Sequence, residues 1–183
     1  MIFNETRLKD VFIIEIEKWN DERGFFARTW DKKIFEEKGL NPNLVQCNIS
    51  FNKKKGTIRG LHYQAPPYEE VKLVRCTHGS AYEVIVDLRK DSDTFKQWMG
   101  VELRGTDYKI LYVPEGFALG FQTLEDNTEL FYQMSEFYMP EYAYGIRYDD
   151  SEFNIKWPEK VTVISKRDQS FKSLKDLNII DST

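Results

Sequence analysis

One short segment of the sequence, Arg59-Gly60-Leu61-His62-Tyr63-Gln64, holds one of only two histidines in the chain and sets it among polar and aromatic neighbours. Histidine is the side chain whose ordinary pKa lies near neutrality, so His62 is the first candidate for a general base if the protein is an enzyme. A single histidine beside a strand is more often a structural group than a catalyst, and His62 taken alone favours that simpler interpretation. The second histidine, His78, precedes Gly79 in a predicted hairpin turn and is interpreted as structural.

Three other side chains could complete a site around His62. Strand alternation puts Lys72 on one face with Val74. A strand lysine usually lies solvated at a sheet edge, but one turned inward would offer a fixed positive charge to a developing oxyanion. For Tyr132, aromatic packing with the hydroxyl in water is the simpler interpretation. Asp168 lies in a polar segment where most aspartates are turn residues; folded back onto His62, it would orient the imidazole and raise its basicity.

The elements that must position these side chains are predicted to be β-strands. Short segments rich in β-branched and aromatic residues are separated by turn residues, the pattern of an antiparallel sandwich or barrel. The segments are 11–16, 44–51, 71–76, 81–88, 99–103, 109–113, 118–123 and 129–135. Within 81–88, Glu83 and Asp87 share a face with Ile85, and an acidic pair on an otherwise apolar strand indicates a polar cavity.

Helices are predicted only at the periphery. Thr29 or Asp31 can cap a helix over 32–38 that Gly39 would end, and the weakly amphipathic segment 170–177 is predicted to form one more. The chain shows no repeat, linker or low-complexity segment. It is therefore predicted to be a single domain over 1–183, long enough to bury about two thirds of its unfolded surface.

Composition excludes several classes of function. A net charge of −4, with no basic tract longer than Lys53-Lys54-Lys55, argues against a nucleic-acid partner. No segment approaches the roughly 20 apolar residues that span a bilayer. The N-terminus lacks the features of a signal peptide, so we expect a cytoplasmic protein in which Cys47 and Cys76 are reduced and buried. Two histidines and two cysteines make a metal site unexpected.

The candidate residues lie within motifs that follow one another along the chain. The motifs are Asp21-Glu22-Arg23-Gly24-Phe25-Phe26, Gln46-Cys47-Asn48-Ile49-Ser50, Ile58-Arg59-Gly60-Leu61-His62-Tyr63-Gln64, Lys72-Leu73-Val74-Arg75, Val86-Asp87-Leu88-Arg89, Val113-Pro114-Glu115-Gly116-Phe117-Ala118, Gly145-Ile146-Arg147 with Asp149-Asp150, and Ile164-Ser165 with Asp168. Each motif alone is weak, but their order resembles the dTDP-4-dehydrorhamnose 3,5-epimerase family over nearly the whole chain. The resemblance implies an all-β jelly-roll barrel of the cupin type, a double-stranded β-helix with short peripheral helices.

The resemblance also implies a reaction and a role for each candidate. A 4-keto group acidifies the hydrogens on both neighbouring ring carbons. A base can therefore remove one, a cation can hold the enolate, and an acid on the opposite ring face can return a proton. Carried over by motif, His62 would be the base with Asp168 as its partner. Lys72 would stabilise the enolate and Tyr132 would be the acid. No cofactor and no metal are expected in this family's cycle.

Binding roles follow from the same resemblance. The substrate-binding set that it implies comprises Arg23, Phe26, Gln46, Asn48, Arg59 and Lys72. Gln46, Asn48 and Arg59 would line the sugar and phosphate end of the site. Arg23 and Phe26 would reach the nucleotide from the neighbouring subunit of a homodimer, since an arginine fork suits a diphosphate and a phenylalanine ring suits a base.

Two positions depart from the family pattern. Where the family commonly reads Phe-Ala-His-Gly-Phe, this chain has Phe117-Ala118-Leu119-Gly120-Phe121, and where the family commonly has a carboxylate after the Phe25-Phe26 motif it has Arg28. The reaction type is expected to survive both changes. Thymidine is the default base, with cytidine or another nucleotide left open. Epimerisation at a single carbon also stays open, although Tyr132 favours the double reaction.

Two other functions compete with this hypothesis. A keto-sugar isomerase on the same barrel typically wants a second histidine close to the first, where this chain has Gln64. A non-catalytic sugar-nucleotide binding barrel would need the arginines but not the set of His62, Lys72 and Tyr132. The resemblance therefore favours a cofactor-free epimerase that converts dTDP-4-dehydro-6-deoxyglucose to dTDP-4-dehydro-L-rhamnose.

Overall fold

Two β-sheets pack face to face in the computed structural model, which describes residues 1–177. The strands are β1 (Ile2–Glu5), β2 (Phe12–Glu15), β3 (Lys18–Asp21), β4 (Gly24–Ala27), β5 (Gln46–Asn52), β6 (Thr57–Gln64), β7 (Lys72–His78), β8 (Ser80–Asp87), β9 (Trp98–Arg104), β10 (Ile110–Val113), β11 (Phe117–Thr123), β12 (Thr128–Met134), β13 (Ala143–Gly145) and β14 (Val163–Ile164). The helices are α1 (Lys32–Glu37) and α2 (Lys166–Gln169), with 3₁₀ turns at Pro140–Tyr142 and Leu174–Asp176.

The strand order is that of a jelly-roll barrel. The first sheet runs β1-β2-β10-β7-β12-β5, and the second runs β13-β6-β11-β8-β9, with β14 added to β6. Among the described strands every pairing is antiparallel except that of β14 with β6. Strands β3 and β4 form a separate hairpin. The predicted all-β fold class is confirmed, with every predicted strand segment present.

Alternation along β8 shows how the sheets divide the core. Ile85 points between the sheets, where it packs in one cluster with Val74 and Leu130 of the first sheet. Val84 and Val86 point to the other face of the second sheet and pack under the C-terminal segment. Because successive strand side chains alternate between faces, Glu83 must point inward with Ile85.

The predicted peripheral helix is confirmed. The Asp31 carboxylate accepts hydrogen bonds from the backbone N–H groups of Lys33 and Ile34, so Asp31 is the N-cap. Gly39, with φ of +71°, follows the helix. Phe35 is fully buried on the outer face of the first sheet, and this anchors α1.

Three smaller predictions are wrong. Segment 170–177 forms only the 3₁₀ turn at Leu174–Asp176, because Leu174 alone is buried there. Cys47 is exposed, since it lies on the outward face of the edge strand β5, whereas Cys76 is buried as predicted. His78 does not lie in a hairpin, because the strands on either side of Gly79 belong to different sheets.

Within the described residues, no helix has the length and apolar character needed to cross a membrane.

A bulge in β6 controls the direction of two candidate side chains. Against β11, His62 lies opposite Leu119 and Arg59 lies opposite Phe121, so three residue steps on β6 match two on β11. Simple alternation would send Arg59 and His62 to opposite faces, but with the extra residue both line the same cavity. Gly60 makes the bulge possible: its φ is +115°, and a Cβ there would lie 2.6 Å from Gly120 Cα.

Replacing Gly60 by alanine is expected to destabilise the protein by about 2–5 kcal/mol, because unfavourable backbone torsion and a backbone clash add together. Gly39→Ala is the matched control, since Gly39 also has a positive φ but nothing within 4 Å of its virtual Cβ. The control is expected to cost only about 1–2 kcal/mol. Urea unfolding measures the loss in free energy of unfolding for each variant. Equal losses would contradict the close approach of Gly60 to Gly120 at the bulge.

Candidate active site

A cavity of about 720 Å³ opens between the two sheets. Among the residues predicted from the sequence, those that line it are Gln46, Asn48, Arg59, His62, Lys72 and Tyr132. Asp168 lies directly behind His62. Arg23 and Phe26 are not among the lining residues, because they lie on the exposed β3–β4 hairpin. The structure therefore brings seven of the nine predicted site residues together.

His62 and Asp168 form a hydrogen-bonded pair. His62 Nε2 lies 2.8 Å from Asp168 Oδ1, and the Gly60 backbone N–H donates to Asp168 Oδ2 at 3.2 Å. Asp168 is held in the first turn of α2, where its own N–H donates to the N-cap Ser165 Oγ. Burial acts to raise the pKa of Asp168, but the bonds from His62, Gly60 and Ser165 outweigh it and hold that pKa below its ordinary value. The carboxylate therefore stays ionised at neutral pH and can stabilise a protonated imidazole.

Lys72 is turned inward and is nearly buried. Its Nζ lies 2.9 Å from Glu70 Oε1, and the two side chains are 12% and 9% exposed. The ion pair fixes the ammonium at the cavity wall, so its positive charge is already in place for a ligand. Glu70 was not identified from the sequence, since a carboxylate two residues before a strand lysine has no distinctive pattern.

Tyr132 lies on the wall opposite His62. It is carried by β12 of the first sheet, whereas His62 is carried by β6 of the second. Burial raises the pKa of Tyr132, Glu70 raises it further, and Arg59 opposes both. The phenol is therefore a proton donor throughout the neutral range. The interpretation as ordinary packing with the hydroxyl in water is incomplete, because the side chain lines the cavity.

Arg59 is oriented by a neighbouring amide. Its Nε donates to Asn52 Oδ1 at 2.8 Å, and Asn52 is itself buried and bonded to Ser50. Its Nη2 donates to the Phe51 carbonyl at 3.4 Å, which leaves Nη1 available to an anion. Arg167, which lines the same cavity and was missed from the sequence, donates to the Ala143 carbonyl at 3.1 Å. Its position next to Asp168 in the chain was the signal that could have identified it.

The acidic pair on β8 divides between two environments. Glu83 is fully buried and lines the cavity, as the predicted polar cavity requires. Asp87 does not line it. Its carboxylate accepts hydrogen bonds from Arg89, Ser92 and Thr94 in the connection that follows β8.

The two departures from the family pattern have different structural consequences. Leu119 lies opposite His62 on β11 and lines the cavity, so this position offers an apolar surface. Arg28 forms an ion pair with Asp31 at 2.8 Å and so supports the N-terminus of α1. Arg28 is not a lining residue of the cavity. Within residues 1–177, no group of three or more His, Cys, Asp or Glu side chains is placed to hold a metal ion.

Comparisons with known proteins agree on one family. Residues 5–176 match the family model described as dTDP-4-dehydrorhamnose 3,5-epimerase. The chain is similar to the dTDP-4-dehydrorhamnose 3,5-epimerase of Shigella flexneri, with 43% identity over 165 residues that cover 90% of this chain and 91% of the relative. Among solved structures, it is similar to a dTDP-4-dehydrorhamnose 3,5-epimerase from Elizabethkingia anophelis, with a TM-score of 0.94, 39% identity, and coverage of 97% of this chain and 98% of that one. It is also similar to a dTDP-6-deoxy-D-glucose-3,5-epimerase from Legionella pneumophila solved in complex with dTDP-4-keto-L-rhamnose, with a TM-score of 0.89, 37% identity, and coverage of 96% and 94%.

Proposed function

The chain belongs to the dTDP-4-dehydrorhamnose 3,5-epimerase family and is an epimerase of nucleotide sugars, and we propose that it converts dTDP-4-dehydro-6-deoxyglucose to dTDP-4-dehydro-L-rhamnose. The observation that carries the proposal is the His62–Asp168 pair in a cavity whose facing wall presents Lys72 and Tyr132. These four side chains supply a base, its partner, a cation and an acid.

The proposed cycle begins at a carbon next to the 4-keto group. With Nε2 donating to Asp168, His62 uses Nδ1 to take the proton; the C–H bond breaks and an enolate forms with its charge on O4. Lys72 stabilises this oxyanion and Asp168 stabilises the imidazolium. Tyr132 then donates its phenolic proton to the carbon from the opposite ring face, which inverts the centre. Exchange with water then deprotonates His62 and reprotonates Tyr132 before the second carbon reacts.

Two arginine side chains in the cavity support binding of a diphosphate, at the end of the cavity away from the sugar. Arg59 and Arg167 bring two guanidinium groups to the wall, and guanidinium forks suit phosphate oxygens. Gln46 and Asn48 lie on β5 beside them and offer amide groups for the sugar. Thymidine remains the proposed base.

We also propose a homodimer in which each subunit's hairpin completes the partner's site. The Arg23 side chain is 85% exposed, and among residues 1–177 it is bonded only locally, to Asp21. Phe26 is 68% exposed and stacks on Trp19, which is 56% exposed. A hairpin that exposes two stacked aromatic rings away from its own cavity suits contact with a second subunit. The two free thiols are consistent with a cytoplasmic location, which we propose as well.

Subunit complementation tests the shared site. A chain carrying His62→Asn and a chain carrying Arg23→Ala with Phe26→Ala are each expected to lose most activity. A mixed dimer retains one intact site, so co-refolding equal amounts is expected to restore about a quarter of wild-type turnover. Each variant refolded by itself provides the control and is expected to stay inactive. Absence of restoration in a demonstrated mixed dimer would exclude a shared site.

Proton NMR in deuterated water tests the function itself. With dTDP-4-keto-6-deoxyglucose as substrate, deuterium is expected to replace hydrogen at both C3 and C5, since each enolate is reprotonated from exchangeable groups. Uptake at one carbon only would make the protein a mono-epimerase. Uptake only with the CDP-linked sugar would change the base. Binding of both sugars without uptake from either would overturn the proposal in favour of a non-catalytic barrel.

A further inference from the structure

Glu83 is a buried acid without a partner in the protein. Its side chain points between the sheets from the middle of β8 and is 0% exposed, yet it lines the cavity. Neither carboxyl oxygen has a hydrogen-bond partner among residues 1–177. Buried polar groups are nearly always hydrogen-bonded, so an unpartnered acid at a cavity wall indicates a partner supplied by the ligand.

The immediate surroundings of Glu83 are apolar. Its neighbours on the adjacent strands are Val101 of β9 and Phe121 of β11, and neither ionises. Leu119, also on β11, contributes an apolar side chain to the same cavity. Adjacent strands of the second sheet therefore leave Glu83 without a charged or polar side-chain partner.

Several ionisable side chains on other elements face the same interior as Glu83. Ionisable side chains that line the cavity or the interior beside Glu83 are Lys72 and Cys76 of β7, Tyr132 of β12, Arg59, His62 and Tyr63 of β6, Glu70 before β7, Tyr138 after β12, Tyr144 of β13 and Arg167 of α2. Burial raises the pKa of Glu83 to about 8, although Lys72 acts to lower it. Burial also raises the pKa of Cys76, to about 11, so that thiol stays neutral. At neutral pH the side chain of Glu83 is therefore mostly a neutral carboxylic acid.

Charge balance at Lys72 explains why a neutral acid suits the reaction. The ammonium already has one carboxylate neighbour, Glu70 at 2.9 Å, which offsets part of its positive charge. An ionised Glu83 would add a negative charge where the substrate develops one, and this would oppose enolate formation. A protonated Glu83 instead adds an O–H donor, as neutral carboxylic acids do in known oxyanion sites.

We propose that Glu83 is a further catalytic residue, which in its neutral form donates a hydrogen bond to the substrate O4 alongside Lys72 and stabilises the enolate. The proton stays on Glu83 throughout, so the proton balance of the cycle is unchanged. This role depends on the proposed epimerase function, because it requires an enolate in this cavity.

The test compares two substitutions across pH 6–9.5, with kcat and KM measured separately on dTDP-4-keto-6-deoxyglucose. Wild-type kcat is expected to fall above about pH 8 as Glu83 ionises. Glu83→Gln keeps a neutral donor, so it is expected to lose about tenfold at pH 7 and to lack the fall near pH 8. Glu83→Leu is expected to lose about 10²–10³-fold in kcat at every pH, with a smaller change in KM.

Glu102→Gln is the matched control. Glu102 lies on the neighbouring strand β9, where it is exposed and paired with Arg104, and its replacement is expected to leave the pH profile unchanged. A Glu83→Gln variant that loses as much as Glu83→Leu would overturn the proposal, because the role would then require an ionisable carboxyl. A fall near pH 8 that persists in Glu83→Gln, or full activity in both variants, would overturn it too.

Infrared spectroscopy gives a readout that does not depend on variant folding or on turnover. The wild-type protein is expected to show the carbonyl band of a protonated carboxylic acid at pH 7, and this band is expected to disappear as pH rises through about 8. Absence of the band would overturn the proposal. If wild-type protein showed the band but no deuterium uptake with either nucleotide sugar, the proposed function would fail while the neutral acid would stand.

Discussion

Replacing His62 by asparagine is expected to lower deuterium uptake at both C3 and C5 by about 10²–10⁴-fold, the usual contribution of a general base. Both carbons should respond together, since one base serves both enolisations in the proposed cycle. The His62 side chain is 38% exposed, so its replacement removes little core packing and the fold should survive. Single-turnover NMR in deuterated water, with each carbon scored separately, measures the effect.

The other histidine provides the control for this substitution. His78 is exposed at the crossing from β7 to β8, and it is not a lining residue of the cavity. His78→Asn is expected to keep wild-type uptake at both carbons. Uptake that persists at one carbon in folded His62→Asn protein would reveal a second base. Full uptake at both carbons would remove His62 from the mechanism.

Local pattern was sufficient to predict most of the scaffold. Alternation identified β8 as a strand and put Glu83 on the face that lines the cavity, and capping chemistry identified Asp31 as the start of α1. Asp87 shares that face but lies at the strand end, where Arg89 is two residues away and takes it into a local network. Periodicity defines a face, whereas position along the strand decides which part of the molecule that face meets.

The missed elements have specific physical causes. Strand β6 was not predicted although it carries His62, because the bulge at Gly60 breaks the period of two. Short edge strands such as β13 and β14 are defined by pairing with β6 and not by their own composition. His78 was misplaced for a related reason, since whether two adjacent strands pair or separate is decided by the sheets they join.

The central contact of the site was beyond sequence reasoning from the residues alone. His62 and Asp168 lie 106 positions apart, and their 2.8 Å contact exists because β14 pairs with β6 and delivers α2 to its side. The same long-range geometry brings Arg167 to the cavity. Motif order pointed to Asp168 through the family resemblance, but no local signal distinguished it from a surface aspartate.

Replacing Tyr132 by phenylalanine is expected to separate proton exchange from inversion. His62 can still remove a proton and return a deuteron to the same ring face, so uptake should continue at a substantial rate. Delivery from the opposite face is lost, and formation of the inverted product should fall by about 10²–10⁴-fold. The same NMR experiment reports both quantities, because retained and inverted products differ in their ring couplings.

Tyr132 is not expected to contribute to the pH dependence of the reaction, because burial raises the pKa of its phenol. Its pKa is raised above the ordinary value of 10, so the phenol remains protonated across the assay range and should not cause the loss of activity near pH 8 that is assigned to Glu83.

Tyr112→Phe is the matched control for Tyr132→Phe, since Tyr112 is a buried tyrosine of the same sheet whose hydroxyl accepts from the Asn41 N–H away from the cavity. That variant should keep the wild-type ratio of inversion to exchange. An unchanged ratio in Tyr132→Phe would assign the acid to another group, and loss of exchange together with inversion would place Tyr132 in the deprotonation step instead.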